Sequence, residues 1–178
     1  MPTPVGHGLA GLAVFFTTQQ HLSRRHVTAL LLIFMALLPD LDFLFGFAVS
    51  DPNRFHHGFS HSFVFVWAIG LLMAAIWAKY SHTSLKIYAA VFGVAGSSHV
   101  LLDLLAADTS VPYGAQIFWP FSKEYYIAPF AIFLDIKRAS SMDKFWQSLF
   151  IAHNFRAVFL EVLLLGPLVW FGKKIGNR

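Results

Sequence analysis

The 178-residue chain is long enough for one domain, and its composition excludes an ordinary soluble globular protein. Apolar residues make up 57% of it and charged residues 12%, against roughly 45–50% and about 25% in soluble domains. The net charge of +4 comes without a basic stripe or nucleic-acid motif, and the lack of cysteine excludes disulfides and thiolate metal sites. We therefore predict an all-α, polytopic membrane bundle that forms a single domain over residues 1–178.

Five apolar segments follow one another along the chain: Val5–Thr18, Val27–Leu38, Ser62–Ala78, Leu85–Leu105 and Ala157–Phe171. A membrane-spanning helix needs about 20 residues, so the third and fourth segments are long enough and the other three are short. Pro39 closes the second segment and predicts a break or kink, because proline disfavours helix at the residue before it. We expect about five membrane helices.

A long polar and aromatic region separates the fourth and fifth helices, from Ala106 to Arg156. Structureless stretches of this length are often functional, and we expect loops and interfacial helices here. The sequence WPFSKEYY lies within it. We predict that this loop covers a site and shapes its access, through Trp119, Phe121, Lys123 and Tyr125.

Histidine and aspartate are concentrated at helix ends that an alternating topology brings to one side of the membrane. They are His7, Asp40, Asp42, His56, His57, His61, His99 and Asp103. The short links on the other side carry basic residues such as Arg24, Lys79 and Lys173. By the positive-inside rule that other side is cytoplasmic, although the long loop also holds five basic residues, so the rule is not cleanly obeyed. We predict a multi-pass inner (plasma) membrane protein with its site on the face opposite the cytoplasm.

The spacing of these residues suits metal binding. His99 and Asp103 are four apart and share one face of a helix, and Asp40 and Asp42 can approach one centre from a turn. Nitrogen and oxygen donors suit Zn²⁺ best, with Mn²⁺ or Fe²⁺ as alternatives, and the surplus of donors leaves one or two ions open. The predicted metal ligands are His7, Asp40, Asp42, His56, His61, His99 and Asp103.

A further ionisable residue, Glu161, lies inside the fifth apolar segment. Ionisable groups within membrane helices are costly and are functional by default. We predict Asp42 and Glu161 as catalytic carboxylates, with Glu161 a general base or an additional ligand. A carboxyl group that burial keeps neutral is the alternative for Glu161. His153 lies in the loop, and we expect it to support the metal ligands and not to bind the metal itself.

Five motifs in one order resemble the YdjM-type proteins of the inner membrane, one of which is linked to LexA control. They are His7, LPDLDF at 38–43, HHGFSHS at 56–62, SHVLLD at 98–103, and Tyr113-Gly114 followed by WPFS at 119–122. The resemblance implies a metal-dependent hydrolase. Arginine is usual in that family at the position of His57, so His56 and His61 carry over as ligands and His57 does not. Arg54 or Lys123 could supply a phosphate contact instead.

The expected chemistry is hydrolysis by a metal-activated water of a lipid-like ester or phosphodiester. The His-x-x-x-Asp at 99–103 is also similar to that of zinc-dependent phospholipase C enzymes, by analogy only. The expected partners are membrane lipids and a lipid-like substrate, without nucleic acid; the oligomeric state is open. The alternative is a non-catalytic protein that binds or transports a metal, but the middle of the third and fifth segments offers almost no polar group for a transport path.

Overall fold

The computed structural model describes residues 1–177, and its regular structure is helical, as the sequence predicts. The α-helices are α1 (Pro4–Thr18), α2 (Arg25–Leu37), α3 (Asp42–Ala48), α4 (Phe63–Ser81), α5 (Leu85–Leu104), α6 (Met142–Leu149) and α7 (Ala152–Gly176). Single 3₁₀ turns occupy Gln19–His21, Leu38–Leu41 and Phe59–His61. The expected polytopic all-α bundle is therefore confirmed.

Four helical segments are long and apolar enough to cross a membrane: Arg25–Ala48, Phe63–Ser81, Leu85–Leu104 and Ala152–Gly176. The first joins α2, the turn after it and α3 into one 24-residue segment. The predicted first membrane helix, α1, has only 15 residues. It is about 22 Å long, against about 30 Å for the hydrocarbon core. The structure therefore has four helical segments that are long enough to span a membrane and one short helix, α1, that packs with them, where the sequence predicted about five membrane helices.

The short helix α1 lies along α7 and runs parallel to it. Near the start of α1, Gly6 lies against Glu161, and near its end Thr17 lies against Gly172. Parallel packing is what an alternating topology requires of the first and fifth of five segments. The full contact of α1 with α7 explains how a helix too short to span the bilayer is held in the bundle.

The helices α4 and α5 form an antiparallel pair with closely approaching backbones. A Cβ atom placed at Gly70 would lie 3.1 Å from the backbone nitrogen of Gly93. Small residues at such contacts are typical of membrane helix pairs. On the outer faces, Leu71 and Leu72 of α4 and Phe159 of α7 are exposed, as expected for side chains in contact with lipid.

The two ends of the bundle differ in chemistry. At one end, Gln19 donates to Asn177 and Trp77 donates to Thr28, both at 3.0 Å, so the end of α1, the start of α2 and the ends of α4 and α7 meet there. The short basic links lie at this end. The start of α1, the Leu38–Leu41 and Phe59–His61 turns and the end of α5 form the other end, where the histidines and aspartates lie.

The long region between α5 and α7 contains one helix, α6, and is otherwise irregular. It folds back over the histidine-rich end, where Gln116 donates its backbone N–H to the carbonyl of His57 at 3.1 Å. The helix α6 is amphipathic: Phe145 is 5% exposed and Trp146 is 58% exposed. An amphipathic helix of this kind suits the membrane interface.

Candidate metal centre

Five side chains from four elements converge at the histidine-rich end, and we call this group the primary centre. It consists of His7 from α1, Asp40 and His61 from the two 3₁₀ turns, and His99 and Asp103 from α5. The three histidines are fully buried. The Asp103 side chain is 2% exposed and that of Asp40 is 12% exposed, so Asp40 is the most accessible member.

The distances within the primary centre match the first shell of a metal ion. Asp103 Oδ2 lies 3.1 Å from His99 Nε2 and 3.5 Å from His61 Nε2, and Asp103 Oδ1 lies 3.4 Å from His7 Nε2. Asp40 Oδ1 lies 3.6 Å from the Nε2 atoms of both His61 and His99. Donors arranged tetrahedrally around Zn²⁺ at about 2.0–2.1 Å would lie about 3.3–3.4 Å apart. The donor atoms fall into two overlapping sets that share His99, namely His7 with Asp40 and His61 with Asp103, and within each set the ligand atoms lie within 4.8 Å of one another, as metal ligands must.

The donor atoms of the primary centre are also unsatisfied. Within residues 1–177, every buried side-chain nitrogen or oxygen without a hydrogen-bond partner belongs to the primary centre or to His57. A buried polar atom left without a partner costs about 1–3 kcal/mol. Because these atoms face one another, one bound cation would satisfy most of them at once. The residues therefore fit a divalent metal ion.

Hydrogen bonds behind the primary centre fix which nitrogen of His99 and of His61 faces it, whereas His7 Nδ1 has no hydrogen-bond partner. His99 Nδ1 lies 2.7 Å from the carbonyl oxygen of Ala36. A carbonyl only accepts, so Nδ1 carries the hydrogen and the Nε2 lone pair points into the centre. His61 is held through a serine: its Nδ1 lies 3.1 Å from Ser60 Oγ, and that hydroxyl in turn donates to Asp42 Oδ2 at 3.1 Å.

Asp42 lies behind the histidines and does not join the convergent donor atoms. Its Oδ1 is 3.0 Å from His56 Nδ1, and its Oδ2 accepts a hydrogen bond from Ser60 Oγ at 3.1 Å and faces His61 Nδ1. Both oxygens are thus engaged with side chains that they orient. From the sequence we predicted ligand and catalytic roles for Asp42. In the structure its contacts fit instead a residue that positions the histidines.

A second group of possible donors consists of His56, His57 and His61, whose ligand atoms lie within 4.8 Å of one another. His57 has a left-handed backbone with φ of 65°, its Nε2 is buried without a partner, and its Nδ1 lies 3.7 Å from Asp108 Oδ2. Burial, together with the neighbouring histidines, lowers the pKa of His56 and His57 well below the usual value. Both imidazoles are therefore neutral at pH 7; His57 Nε2 is free to bind a metal, whereas His56 Nε2 lies against the Met1 sulfur and would have to exchange that contact for the ion.

His57 is the main residue that sequence reasoning left out. The family pattern argued against it, since arginine is usual at its position. The signal that could have found it is local: residues 56–61 hold three histidines in six positions.

Glu161 caps α1 and does not face the metal donors. Its Oε1 accepts from the backbone N–H of Thr3 at 2.7 Å, and its Oε2 accepts from the N–H of Gly6 at 3.0 Å and from the Thr3 hydroxyl. A Cβ at Gly6 would lie 2.8 Å from Oε2, so glycine makes room for the carboxylate. These contacts differ from those expected of a general base or an additional ligand. They satisfy free N–H groups of a helix start and hold in place the helix that carries His7.

His153 also lies apart from the primary centre. Its Nε2 is 2.9 Å from Asp135 Oδ1, and Asp135 Oδ2 accepts from Thr109 at 2.7 Å. Burial alone would raise the pKa of Asp135, but the hydrogen bonds from Thr109 and His153 lower it below the usual value. This pair joins the irregular region to α7 and gives His153 a structural partner.

Comparison with known proteins identifies the family of the chain. The profile of the YdjM inner membrane protein family matches residues 1–174. The chain belongs to the YdjM family. Inner membrane protein YbcI of Escherichia coli (strain K12) is 36% identical over 102 residues, which cover 56% of this chain and 57% of YbcI. The matched stretch thus spans little more than half of that relative. No solved structure matches the chain.

Membership of the YdjM family and the four apolar helices identify the chain as an inner-membrane protein. The case for a metal rests on the geometry of the primary centre. All five of its residues lie in the region that the YdjM profile matches.

A polar cavity of about 290 Å³ opens beside the second histidine group in this YdjM protein. Its lining includes His56, the cations Arg54 and Lys123, and the aromatic residues Trp119 and Tyr125. Three of the four loop residues expected to cover the site therefore line this cavity. The fourth, Phe121, is 88% exposed and lies outside it.

Proposed function

We propose that the protein is a membrane-bound, metal-dependent hydrolase that acts on a lipid-like ester or phosphodiester. The observation that carries this proposal is the convergence of buried, unpartnered nitrogen and oxygen atoms in the primary centre. Three imidazoles and two carboxylates suit Zn²⁺ best, with Mn²⁺ or Fe²⁺ as the alternatives.

The residues have separate roles in this mechanism. His7, His61, His99, Asp40 and Asp103 would hold the ion. When bound, a divalent ion supplies Lewis acidity that polarises an ester oxygen and lowers the pKa of a water molecule to about 7. Asp42 keeps His61 oriented through the Ser60 hydroxyl, and Asp40, as the most accessible member, lies where a substrate can reach the centre.

His56 and His57 would extend the centre to a second ion. They add two neutral imidazoles beside His61. A second ion held there would add Lewis acidity to the same site, which suits a phosphodiester substrate. We propose one ion at the primary centre and a second one at this histidine pair.

The position of the site supports a lipid-like substrate. The primary centre lies at one end of a bundle of apolar segments that can cross a membrane, on the side where lipid ester and phosphate groups would be within reach. The polar cavity with Arg54 and Lys123 suits an anionic group. We propose that this end of the bundle faces away from the cytoplasm.

A non-catalytic metal-binding or metal-transporting protein is the second candidate, since the donor atoms alone do not require chemistry. Transport needs polar groups along the whole depth of the membrane. The apolar runs FVFVWAIGLLMAAIW in α4 and LLLGPLVW in α7 offer almost none. The donors are collected at one end, which favours hydrolysis over transport.

Metal analysis of the detergent-purified protein tests the proposed function. We expect about one to two equivalents of zinc or manganese in the wild type and a large loss in His99→Ala and Asp40→Ala. His26→Ala, which alters an exposed histidine at the basic end, is the matched control and should retain the metal. An unchanged metal content in both site variants would exclude the proposal.

Hydrolysis assays then separate the enzyme from a metal-binding protein. We expect the wild type to cleave phospholipid or a generic phosphodiester and to lose this activity after chelation. Full activity in the presence of a strong chelator would rule out a metal-dependent mechanism. Metal binding without any hydrolysis would favour the second candidate.

A further inference from the structure

A second cavity, of about 320 Å³, borders the primary centre at Asp40. Its walls are mostly apolar and come from α3 and from the interfacial helix α6. They include Phe43, Leu44, Phe47, Phe145, Trp146 and Leu149. Residues 1–4, Leu41 and Ile136 also line it, together with two charged side chains, Asp40 of the primary centre and Arg138 of the irregular region. The volume lies in the range of small-molecule pockets.

Arg138 is a cation without an acidic partner. Its Nε donates to Asn53 Oδ1 at 2.7 Å, and its guanidinium carbon lies 5.2 Å from the centre of the Phe43 ring. All ion-pair contacts within residues 1–177 join a histidine to an aspartate, so no carboxylate there lies within 4.0 Å of Arg138. The remaining guanidinium N–H groups are therefore available to an anionic ligand.

The chemistry of this cavity selects an amphiphile with a phosphate group. A guanidinium presents paired N–H donors that match phosphate oxygens. The apolar walls around it would exclude a free, fully hydrated phosphate ester but would accept an acyl chain. Because α3 ends a membrane segment and α6 suits the interface, such a ligand can enter from the bilayer.

We propose that this cavity binds an acyl chain of an anionic phospholipid and that Arg138 binds its phosphate next to Asp40. The proposal rests on the proposed function in one respect: it names phospholipid as the substrate class of the same site. Arg138 is then a specificity-determining residue that brings the phosphodiester to the edge of the primary centre.

Lipid binding to the full-length protein in neutral detergent, with chelator present, tests this proposal without turnover. The probe is phosphatidylglycerol, compared with a diacylglycerol of the same chains and with glycerol 3-phosphate. We expect wild-type protein to bind phosphatidylglycerol most tightly, and Arg138→Gln to bind it about tenfold to a hundredfold more weakly. Arg138→Lys, which keeps the charge, should recover part of the affinity and shows that the fold tolerates substitution here.

Lys144→Gln is the matched control, because it removes an exposed cation of α6 that does not line the cavity. We expect it to bind phosphatidylglycerol like the wild type. If Lys144→Gln and Arg138→Gln weakened phosphatidylglycerol binding equally, the effect would be one of surface charge and the proposal would be overturned. Unchanged binding in Arg138→Gln, or equally tight binding of glycerol 3-phosphate, would overturn it as well.

The metal content distinguishes this result from the test of the proposed function. Arg138→Gln should keep wild-type metal, since Arg138 is not a ligand. If the wild type holds no metal but still shows Arg138-dependent lipid binding, the hydrolase proposal fails and the lipid site stands. If the metal and the cleavage of a small phosphodiester are normal while lipid binding ignores Arg138, the lipid site alone fails.

Discussion

At the scale of single residues, the groups behind the histidines matter as much as the donor atoms. The Ala36 carbonyl engages His99 Nδ1, and the Asp42 carboxylate acts on His61 Nδ1 through the Ser60 hydroxyl, so that both Nε2 atoms point into the primary centre. Partners of this kind keep an imidazole in one tautomer and one orientation, and their loss typically costs tenfold to a hundredfold in metal affinity.

Asp42→Asn separates a positioning role from a ligand role. We expect the zinc affinity to fall about tenfold to a hundredfold, while the zinc content at saturation stays at the wild-type level. Competition with a chelating dye measures the affinity, and Asp143→Asn, an exposed aspartate of α6, is the control. A loss of bound zinc at saturation equal to that of Asp103→Asn would instead show that Asp42 is a ligand.

The sequence could identify the residue types of this centre but not their individual places. Asp40 and Asp42 are two apart in a turn, and that spacing allows either carboxylate to face inward; the Leu38–Leu41 turn decides the matter. The backbone of His57 is left-handed, and this conformation sets the direction of its side chain. Nothing in the local residue pattern predicts a left-handed residue at this position. Arg138 lies in irregular structure, where periodicity gives no direction to a side chain.

At the scale of elements, the break after α2 positions a ligand without ending the membrane segment. Pro39 lies at the first turn of the 3₁₀ stretch, where its missing N–H is tolerated, and α3 continues the apolar run to Ala48. The sequence predicted this break from the proline. It could not predict that the start of α1 needs a carboxylate from α7, because that contact joins residues 158 positions apart.

Glu161→Gln tests the role of this carboxylate at the start of α1. Gln keeps the size of the side chain but directs an N–H₂ group toward backbone N–H donors, so we expect a loss of about 1–3 kcal/mol in stability. Thermal unfolding in detergent measures it, and the bound metal should remain because His7 is one of five donors. Normal stability and metal content with abolished hydrolysis would instead support the catalytic role that the sequence suggested.

At the scale of the whole molecule, alternation of five segments was sufficient to predict the end of the bundle at which the histidines and aspartates gather, but not which of them face one another. The structure collects the histidines and aspartates at one end and the short basic links at the other, and it packs the first and last helices in parallel. The path of residues 106–141 could not be predicted, since it has little regular structure and is held by single contacts such as that between Gln116 and the His57 carbonyl.

The orientation of the bundle in the membrane is open to a direct test, because the chain contains no cysteine. Ser140→Cys places a thiol at the histidine-rich end, where Ser140 accepts a hydrogen bond from Asn53, and Gln20→Cys places one at the basic end; both positions are exposed. Arg24 and Lys79 lie close to the ends of membrane segments, and the positive-inside rule assigns such basic links to the cytoplasm. We therefore expect a membrane-impermeant maleimide to label Ser140→Cys in intact spheroplasts and Gln20→Cys only after lysis. The reverse pattern would place the metal site on the cytoplasmic side, and labelling of both before lysis would contradict a membrane-spanning bundle.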